Sequence, residues 1–218
     1  MYYLILDLNG LLIDEGTAPK GCKKPLVVRD GVGPFLKFCL ENFEVSFWSC
    51  CRSRRMKSLL AEIQKHCKVS LEFCMTFDQS WCDTVTKEDG SSLGGEKPYF
   101  LKTLATIFRS AEGLRDTGAR PENTLLVDDS PYKNVRNNRW NAVHPEPFIG
   151  AHPQRSVGYL QRELMPWLRR LKESGQTVPE YCRNNPGFGN LRLQEGDAMY
   201  TAMAHSKVSE KMVHRGRV

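Results

Sequence analysis

The chain lacks any CxxC pair, and none of its eight cysteines (Cys22, Cys39, Cys50, Cys51, Cys67, Cys74, Cys82, Cys182) has zinc-site spacing. Several lie inside apolar runs, as Cys39 does in FLKFCL and Cys74 in LEFCM, and read as small buried hydrophobes of a reducing compartment. A cysteine-dependent phosphatase needs Cys-x5-Arg. The sixth residue after Cys50 is Met56 and after Cys51 is Lys57, which excludes that loop here. The five histidines, His66, His144, His152, His205 and His214, show no metal-ligand spacing. No apolar run approaches the roughly 18 residues of a membrane helix. An apolar strand pattern begins at residue 2, leaving no room for a signal or transit peptide before it. The expectation is a nuclear or cytoplasmic protein without a membrane partner, with a mitochondrial location as the alternative if the N-terminus is truncated. There is no internal repeat.

What is present is a chain of 218 residues, enough for one α/β domain with a full core and a tail. A formal charge of +6 favours acidic partners without choosing among phosphopeptides, nucleic acid and anionic membranes. Tyr2–Leu6 is a short apolar run ending in Asp7, the pattern of a buried parallel strand with a carboxylate at its C-terminal end. Gly10 then permits a tight turn. In open α/β sheets ligands sit at the carboxyl ends of strands, so Asp7 stands where chemistry is expected. A structural Asp capping the next turn is the bland alternative.

Residues 13–30 read as a connecting segment with a short extended piece at Leu26–Arg29. Val32, Phe35, Leu36, Cys39 and Leu40 have helical spacing, with Pro34 in the first turn. Phe43–Trp48 is a second strand, and it runs through Ser49 into the basic opening of a helix carrying Met56, Leu59, Leu60 and Ile63. Such a junction offers a hydroxyl and amides to an anion, or simply an N-cap. The Arg52–Lys57 cluster reads as a solvated helix face rather than a nucleic-acid contact. Trp48, Trp81, Trp140 and Trp167 read as packing residues. Val69–Phe77 is a third apolar stretch and 78–96 a surface loop or flap. Phe100, Leu101, Leu104, Ile107 and Phe108 then predict a helix with Lys102 near its start, where a lone lysine is usually solvated. Asn123–Val127 is another buried strand, ending in Asp128 and Asp129. Two adjacent carboxylates there need a cation or hydrogen bonds; a Mg²⁺ ion would serve, whereas an N-cap at Asp129 with Asp128 exposed is the structural alternative. Asn141–Val143 is a short last strand and Val157–Lys172 a helix, and after Gly175 the pattern fades. Residues 190–218 have no sustained apolar period and predict a weakly ordered tail after a 1–189 domain.

The ordered set Asp7, Ser49, Lys102 and Asp128/Asp129 resembles the haloacid dehalogenase superfamily. LILDLNGLL at 4–12, EVSFWSCC at 44–51, PYFLKTL at 98–104 and NTLLVDDSPYK at 123–133 are similar to its branch acting on the RNA polymerase II C-terminal domain, the NLI-interacting-factor-like phosphatases. DQSWC at 78–82 and the segment Val178–Arg183 are similar to plant members in particular, and the resemblance spans about residues 2–189. It implies a three-layer, Rossmann-type α/β fold with a central parallel sheet and a small loop or flap insertion. It also implies a phosphorylated protein or peptide as partner, the polymerase C-terminal domain among them, with nucleic acid not expected. Asp7 would be the nucleophile, forming an aspartyl-phosphate. Asp7, the carbonyl of Asn9, Asp128 and Asp129 would hold Mg²⁺. Ser49 would bond a phosphoryl oxygen and Lys102 would offset charge, with Lys97 as its alternate.

The family pattern at the first site is Asp-x-Asp-x-Thr, where this chain has Asp7, Asn9 and Leu11. The second aspartate protonates the leaving group and then activates water, which an amide cannot do; general acid–base catalysis is typically worth ~10²–10⁴-fold. Three readings follow: a Mg²⁺-dependent phosphoserine/phosphothreonine phosphatase weakened by Asn9; a catalytically impaired phosphopeptide- or metal-binding protein; or a scaffold like the receptor subunit of the mitochondrial presequence translocase.

Overall fold

The computed structural model describes residues 1–16, 25–71, 74–86, 98–111, 114, 116–152, 157–188, 200, 203 and 207–208. Its centre is a five-stranded sheet in the order β5-β4-β1-β8-β9, with every neighbouring pair parallel. The strands are β1 (Tyr3–Leu6), β4 (Glu44–Trp48), β5 (Met75–Phe77), β8 (Thr124–Val127) and β9 (Ala142–Val143). β1 and β8 are buried at every position, as central strands covered on both faces must be.

Strand periodicity divides the core packed on this sheet in two. Leu4, Leu6, Val45, Phe47, Leu125 and Val127 face a large cluster with α1 (Val32–Asn42) and α2 (Ser53–Cys67). The same cluster takes in α4 (Met165–Ser174) and α5 (Val178–Asn184). Ile5, Trp48, Phe77 and Leu126 face a smaller one with α3 (Leu104–Ser110). Helices on both faces of a parallel sheet give the three-layer α/β architecture expected from the sequence. Met56, Leu59, Leu60 and Ile63 are the buried stripe of α2, while Arg52, Arg54 and Lys57 are exposed. Trp48 and Trp167 are core residues.

Four local expectations need correction. The segment after Leu12 is a hairpin: β2 (Ile13–Glu15) pairs antiparallel with β3 (Leu26–Val28). Arg29 secures it, its guanidinium donating to the carbonyls of Leu11 (3.2 Å) and Glu146 (3.3 Å) and lying over the Tyr159 ring. Secondly, the loop at 78–96 contains a 3₁₀ turn, Gln79–Trp81, and then β6 (Asp83–Thr86), antiparallel to β7 (Tyr99–Leu101). Phe100 and Leu101 are therefore strand residues, and the helix starts only at Leu104. Thr103 is extended at φ −89°, ψ 105°, which interrupts an apolar spacing that ran unbroken through the sequence. Thirdly, a helix follows Gly175, started by a Thr177/Glu180 capping box with Pro179 in its first turn. Fourthly, the long helix beginning near Val157 opens with a wide π-type turn, Leu160–Leu164, before α4.

Most of the segment predicted as a weakly ordered tail lies outside the described residues. Within it, β10 (Lys207–Val208) pairs antiparallel with β6, and Met203 is buried with Val85 and Leu101. Among the described residues no helix is long and apolar enough to cross a membrane.

Candidate active site

The site forms where β1 and β8 end side by side. Their register pairs Leu6 with Val127, so the next residues, Asp7 and Asp128, emerge together. Asp7 N donates to Val127 O (2.9 Å) and Asp128 N to Val143 O (3.2 Å), fixing both backbones. Each carboxylate lies two residues beyond a member of the smaller core, Ile5 or Leu126, and so points to the α3 side of the sheet. Asp7 is 2% exposed and Asp128 0%.

Lys102 reaches the pair from the turn between β7 and α3. It is completely buried, so the bland reading of a solvated lysine does not hold. Its Nζ lies 2.5 Å from Trp48 O, 2.6 Å from Asp128 Oδ2 and 3.0 Å from Asp7 Oδ1. The first two contacts are hydrogen bonds donated by the ammonium, and the third is an ion pair. Asn137 secures this turn, donating to Lys102 O (2.7 Å) and accepting from Leu104 N (2.8 Å). Lys97, the alternate lysine, lies outside the described residues.

A second lysine was not anticipated. Lys133 Nζ stands 2.7 Å from Asp7 Oδ2, 3.0 Å from Asp128 Oδ1 and 3.9 Å from Asp129 Oδ1. It projects from the short 3₁₀ turn Pro131–Asn134, and its carbonyl accepts Lys102 N at 2.8 Å. The DDSPYK string contained it, but five positions from Asp128 is no helical or strand repeat. Only the tight turn opened by Pro131 brings it back.

Burial alone would push the Asp128 carboxyl up, but the ammonium groups of Lys102 and Lys133 hold it well below the ordinary carboxylate range. Burial would push both lysines down; Asp128 and Asp7 outweigh it and raise them. Asp129 behaves oppositely: burial and then the Asp128 charge push its carboxyl up to about 7. It packs over Gly10, which has φ +85° and whose missing Cβ leaves the room the carboxylate fills. Asp129 is thus no N-cap: the following turn is preceded by Ser130, which makes no side-chain cap bond.

Ser49 is buried at the end of β4, adjacent to Trp48, whose carbonyl holds Lys102; its Oγ accepts a long bond from Cys51 N (3.4 Å). Asn9 is exposed on the turn after Asp7, and its Oδ1 accepts Glu15 N at 2.7 Å, tying that turn to the β2–β3 hairpin. Leu11 is buried in the larger core and offers the site no hydroxyl. Cys50 joins the periphery. A hydrogen bond from Cys82 (Sγ–Sγ 3.7 Å), then the charges of Lys102 and Lys133, lower its thiol against the effect of burial.

Asp7, Asp128 and Asp129 each offer a carboxylate oxygen within 4.8 Å of the others. An all-oxygen, anionic set of that span fits a hard divalent cation, although the ammonium of Lys133 lies against the same carboxylates. Two buried carboxylates, two ammonium groups and a third, readily protonated carboxyl at a strand edge suit the handling of a phosphate dianion.

The family model described as NLI interacting factor-like phosphatase matches residues 2–179. Among solved structures, a fission yeast RNA polymerase II CTD phosphatase Fcp1 variant bound to beryllium fluoride is similar at 15% identity and a TM-score of 0.44, over 92% of this chain and 59% of that one. Another Fcp1 structure, of an essential RNA polymerase II CTD phosphatase, is similar at 15% identity and a TM-score of 0.42, over 93% and 61%. The chain therefore spans 59% and 61% of the lengths of these two solved chains. No curated protein matches it.

Proposed function

The chain belongs to the NLI interacting factor-like phosphatase family, and with it to the haloacid dehalogenase-like fold; from that premise we propose that it is a Mg²⁺-dependent phosphoserine/phosphothreonine protein phosphatase whose turnover is weakened by Asn9. The observation that carries this reading is the seating of Asp7 at the end of β1, both of its oxygens fixed by lysines.

Asp7 attacks phosphorus, the bond to the seryl or threonyl oxygen breaks, and the phosphoryl group passes to the carboxylate. Lys102 acts on Asp7 itself: its ammonium donates to Trp48 O and Asp128 Oδ2 and is ion-paired with Asp7 Oδ1. It orients the nucleophile within a buried setting. Ser49, at the adjacent strand end, would donate its hydroxyl proton to a phosphoryl oxygen. Asp7, Asp128, Asp129 and the carbonyl of Asn9 would hold Mg²⁺. When bound, the ion would offset repulsion between Asp7 and the incoming dianion. The departing alkoxide needs a proton and the water that later cleaves the acyl phosphate needs a base. Asn9 supplies neither, and its amide oxygen already accepts from Glu15 N. Phosphorylated protein segments are the proposed substrate class, in keeping with the formal charge of +6.

With Mg²⁺, the protein should hydrolyse an aryl phosphate, whose leaving group needs little protonation, and Asp7→Asn should abolish that activity. Equal rates for the two proteins would overturn the reading. The position of Asn9 also favours a second reading, a phosphopeptide-binding protein of the same fold with negligible turnover. It predicts that Asn9→Asp gains activity on a phosphoserine peptide, and robust wild-type turnover of that peptide would contradict it.

A further inference from the structure

The two lysines divide the carboxylates between them. Lys102 takes Asp7 Oδ1 and Asp128 Oδ2; Lys133 takes Asp7 Oδ2 and Asp128 Oδ1. Lys102 is sealed from solvent and its backbone turn is clamped by Asn137. Lys133 differs in two respects. Its ammonium is the one that also approaches Asp129, at 3.9 Å, so it touches every member of the three-carboxylate cluster. Its side chain is 10% exposed, where that of Lys102 is 0%. Its backbone is likewise fixed, by bonds from Lys102 N and to Ser130 O, so the ammonium can leave by rotation of the side chain while the turn stays in place.

A divalent ion of the Mg²⁺ type requires these same oxygens at about 2.0–2.1 Å. An ammonium already 2.7 Å and 3.0 Å from two of them cannot coexist with it at close range. We infer that Lys133 is an intrinsic counter-cation of the carboxylate cluster, and that divalent metal binds only as the Lys133 ammonium swings out. This inference rests on the Mg²⁺ reading above and deepens it. Without metal, Lys133 bridges Asp7 and Asp128 and holds them close together, so the site is preformed. When metal enters, the released ammonium lies at the rim of the site, where an anionic ligand approaches. Metal affinity is consequently set by a competition inside the chain.

The test is Mg²⁺ titration calorimetry on wild type, Lys133→Met and Lys133→Arg, all as the full chain. Lys133→Met, which keeps the side-chain length without the charge, should bind Mg²⁺ at least about tenfold more tightly, since a competing charge is gone; Lys133→Arg should stay as weak as wild type. If wild type and Lys133→Met bind equally, the competition is refuted and the metal site stands. If neither binds, the metal reading falls and this inference with it. Because Lys133→Met leaves two buried carboxylates with only Lys102 between them, a second measurement uses wild type alone. Reductive methylation of lysines, read by mass spectrometry, should spare Lys133 in metal-free buffer and modify it at saturating Mg²⁺. Continued protection of Lys133 with Mg²⁺ bound would overturn the inference even if the variant fails to fold.

Discussion

Replacing Lys102 by Met removes one buried ammonium and leaves three polar groups to find other partners. In the native site its Nζ serves Trp48 O at 2.5 Å, Asp128 Oδ2 at 2.6 Å and Asp7 Oδ1 at 3.0 Å. Asp128 is 0% exposed and Asp7 2%, so water cannot easily replace the lost donors. Removing one member of a buried ion pair typically costs ~3–5 kcal/mol, because the remaining charge stays behind uncompensated. Lys133 still contacts both carboxylates, which argues for the lower end of that range. For a chain of this size ~1 kcal/mol lowers Tm by ~2–4 °C, so Lys102→Met should melt roughly 6–20 °C below wild type. Adding Asp128→Asn should recover part of the loss, since the double variant no longer buries that unpaired charge. Urea unfolding of wild type, the two single variants and the double variant closes a cycle whose coupling should be about 1–3 kcal/mol. A Lys102→Met protein within about 1 kcal/mol of wild type, with additive single effects, would refute the buried ion-pair assignment.

Other perturbations test neighbouring features. Gly10→Ala must place a Cβ at φ +85° and into the space of the Asp129 carboxylate, so it should lower stability by about 1–2 kcal/mol or more in urea unfolding; an unchanged midpoint would be inconsistent with the packing of Asp129 over this turn. Asp129 is raised from 3.8 to about 7, so the folded chain holds its proton more tightly than the unfolded one. The contribution to stability is full below the unfolded value and is lost as pH rises through about 7. In metal-free buffer Tm should fall across that window, and Asp129→Asn should flatten the fall; parallel profiles would count against the assignment. Cys50, whose thiol is lowered by the Cys82 hydrogen bond and then by the two lysines, should be alkylated by iodoacetamide at lower pH than Cys74, which burial pushes up to about 11. Mass spectrometry showing the reverse order would contradict that environment.

The sheet was legible because its signal is local. Apolar runs ending in Asp7, Ser49 and Asp128 are enough to mark parallel strands and the edge where they deliver polar groups. The helix stripe of Met56, Leu59, Leu60 and Ile63 was legible for the same reason. Failures came where two local patterns overlapped. Leu101, Leu104, Ile107 and Phe108 keep helical spacing across a real break, because Leu101 packs in the small core of the β6–β7 insertion while Leu104 and Ile107 pack on the main sheet. Burial of Lys102 could not be read from composition, since it depends on long-range bonds to Trp48 and Asp128, 54 and 26 residues away in sequence. The hairpin of β2 and β3 was obscured by a polar, glycine- and proline-bearing stretch that reads as a connection. Lys133 was hidden by a turn whose geometry only the fold supplies.

Asn9 and Lys133 bear on different parts of the proposed reaction, and that separation limits what either alone can reveal. Asn9 removes the proton donor, a deficit that depends on the leaving group: large for an alkyl phosphate, small for an aryl phosphate. On the inference above, Lys133 acts on occupancy of the cation position, a deficit that depends on Mg²⁺ concentration and is indifferent to the leaving group. A low rate on an aryl phosphate that rises with Mg²⁺ therefore points to Lys133, whereas a rate saturated in Mg²⁺ but selective for aryl over alkyl phosphates points to Asn9. The two effects multiply because proton transfer and cation binding enter the rate as separate factors. Neither disturbs the seating of Asp7, whose Oδ1 is held by Lys102 and Leu8 N whichever cation faces Oδ2. A site of this construction can keep its phosphate-binding geometry while its turnover is set by two residues that do not touch each other's chemistry.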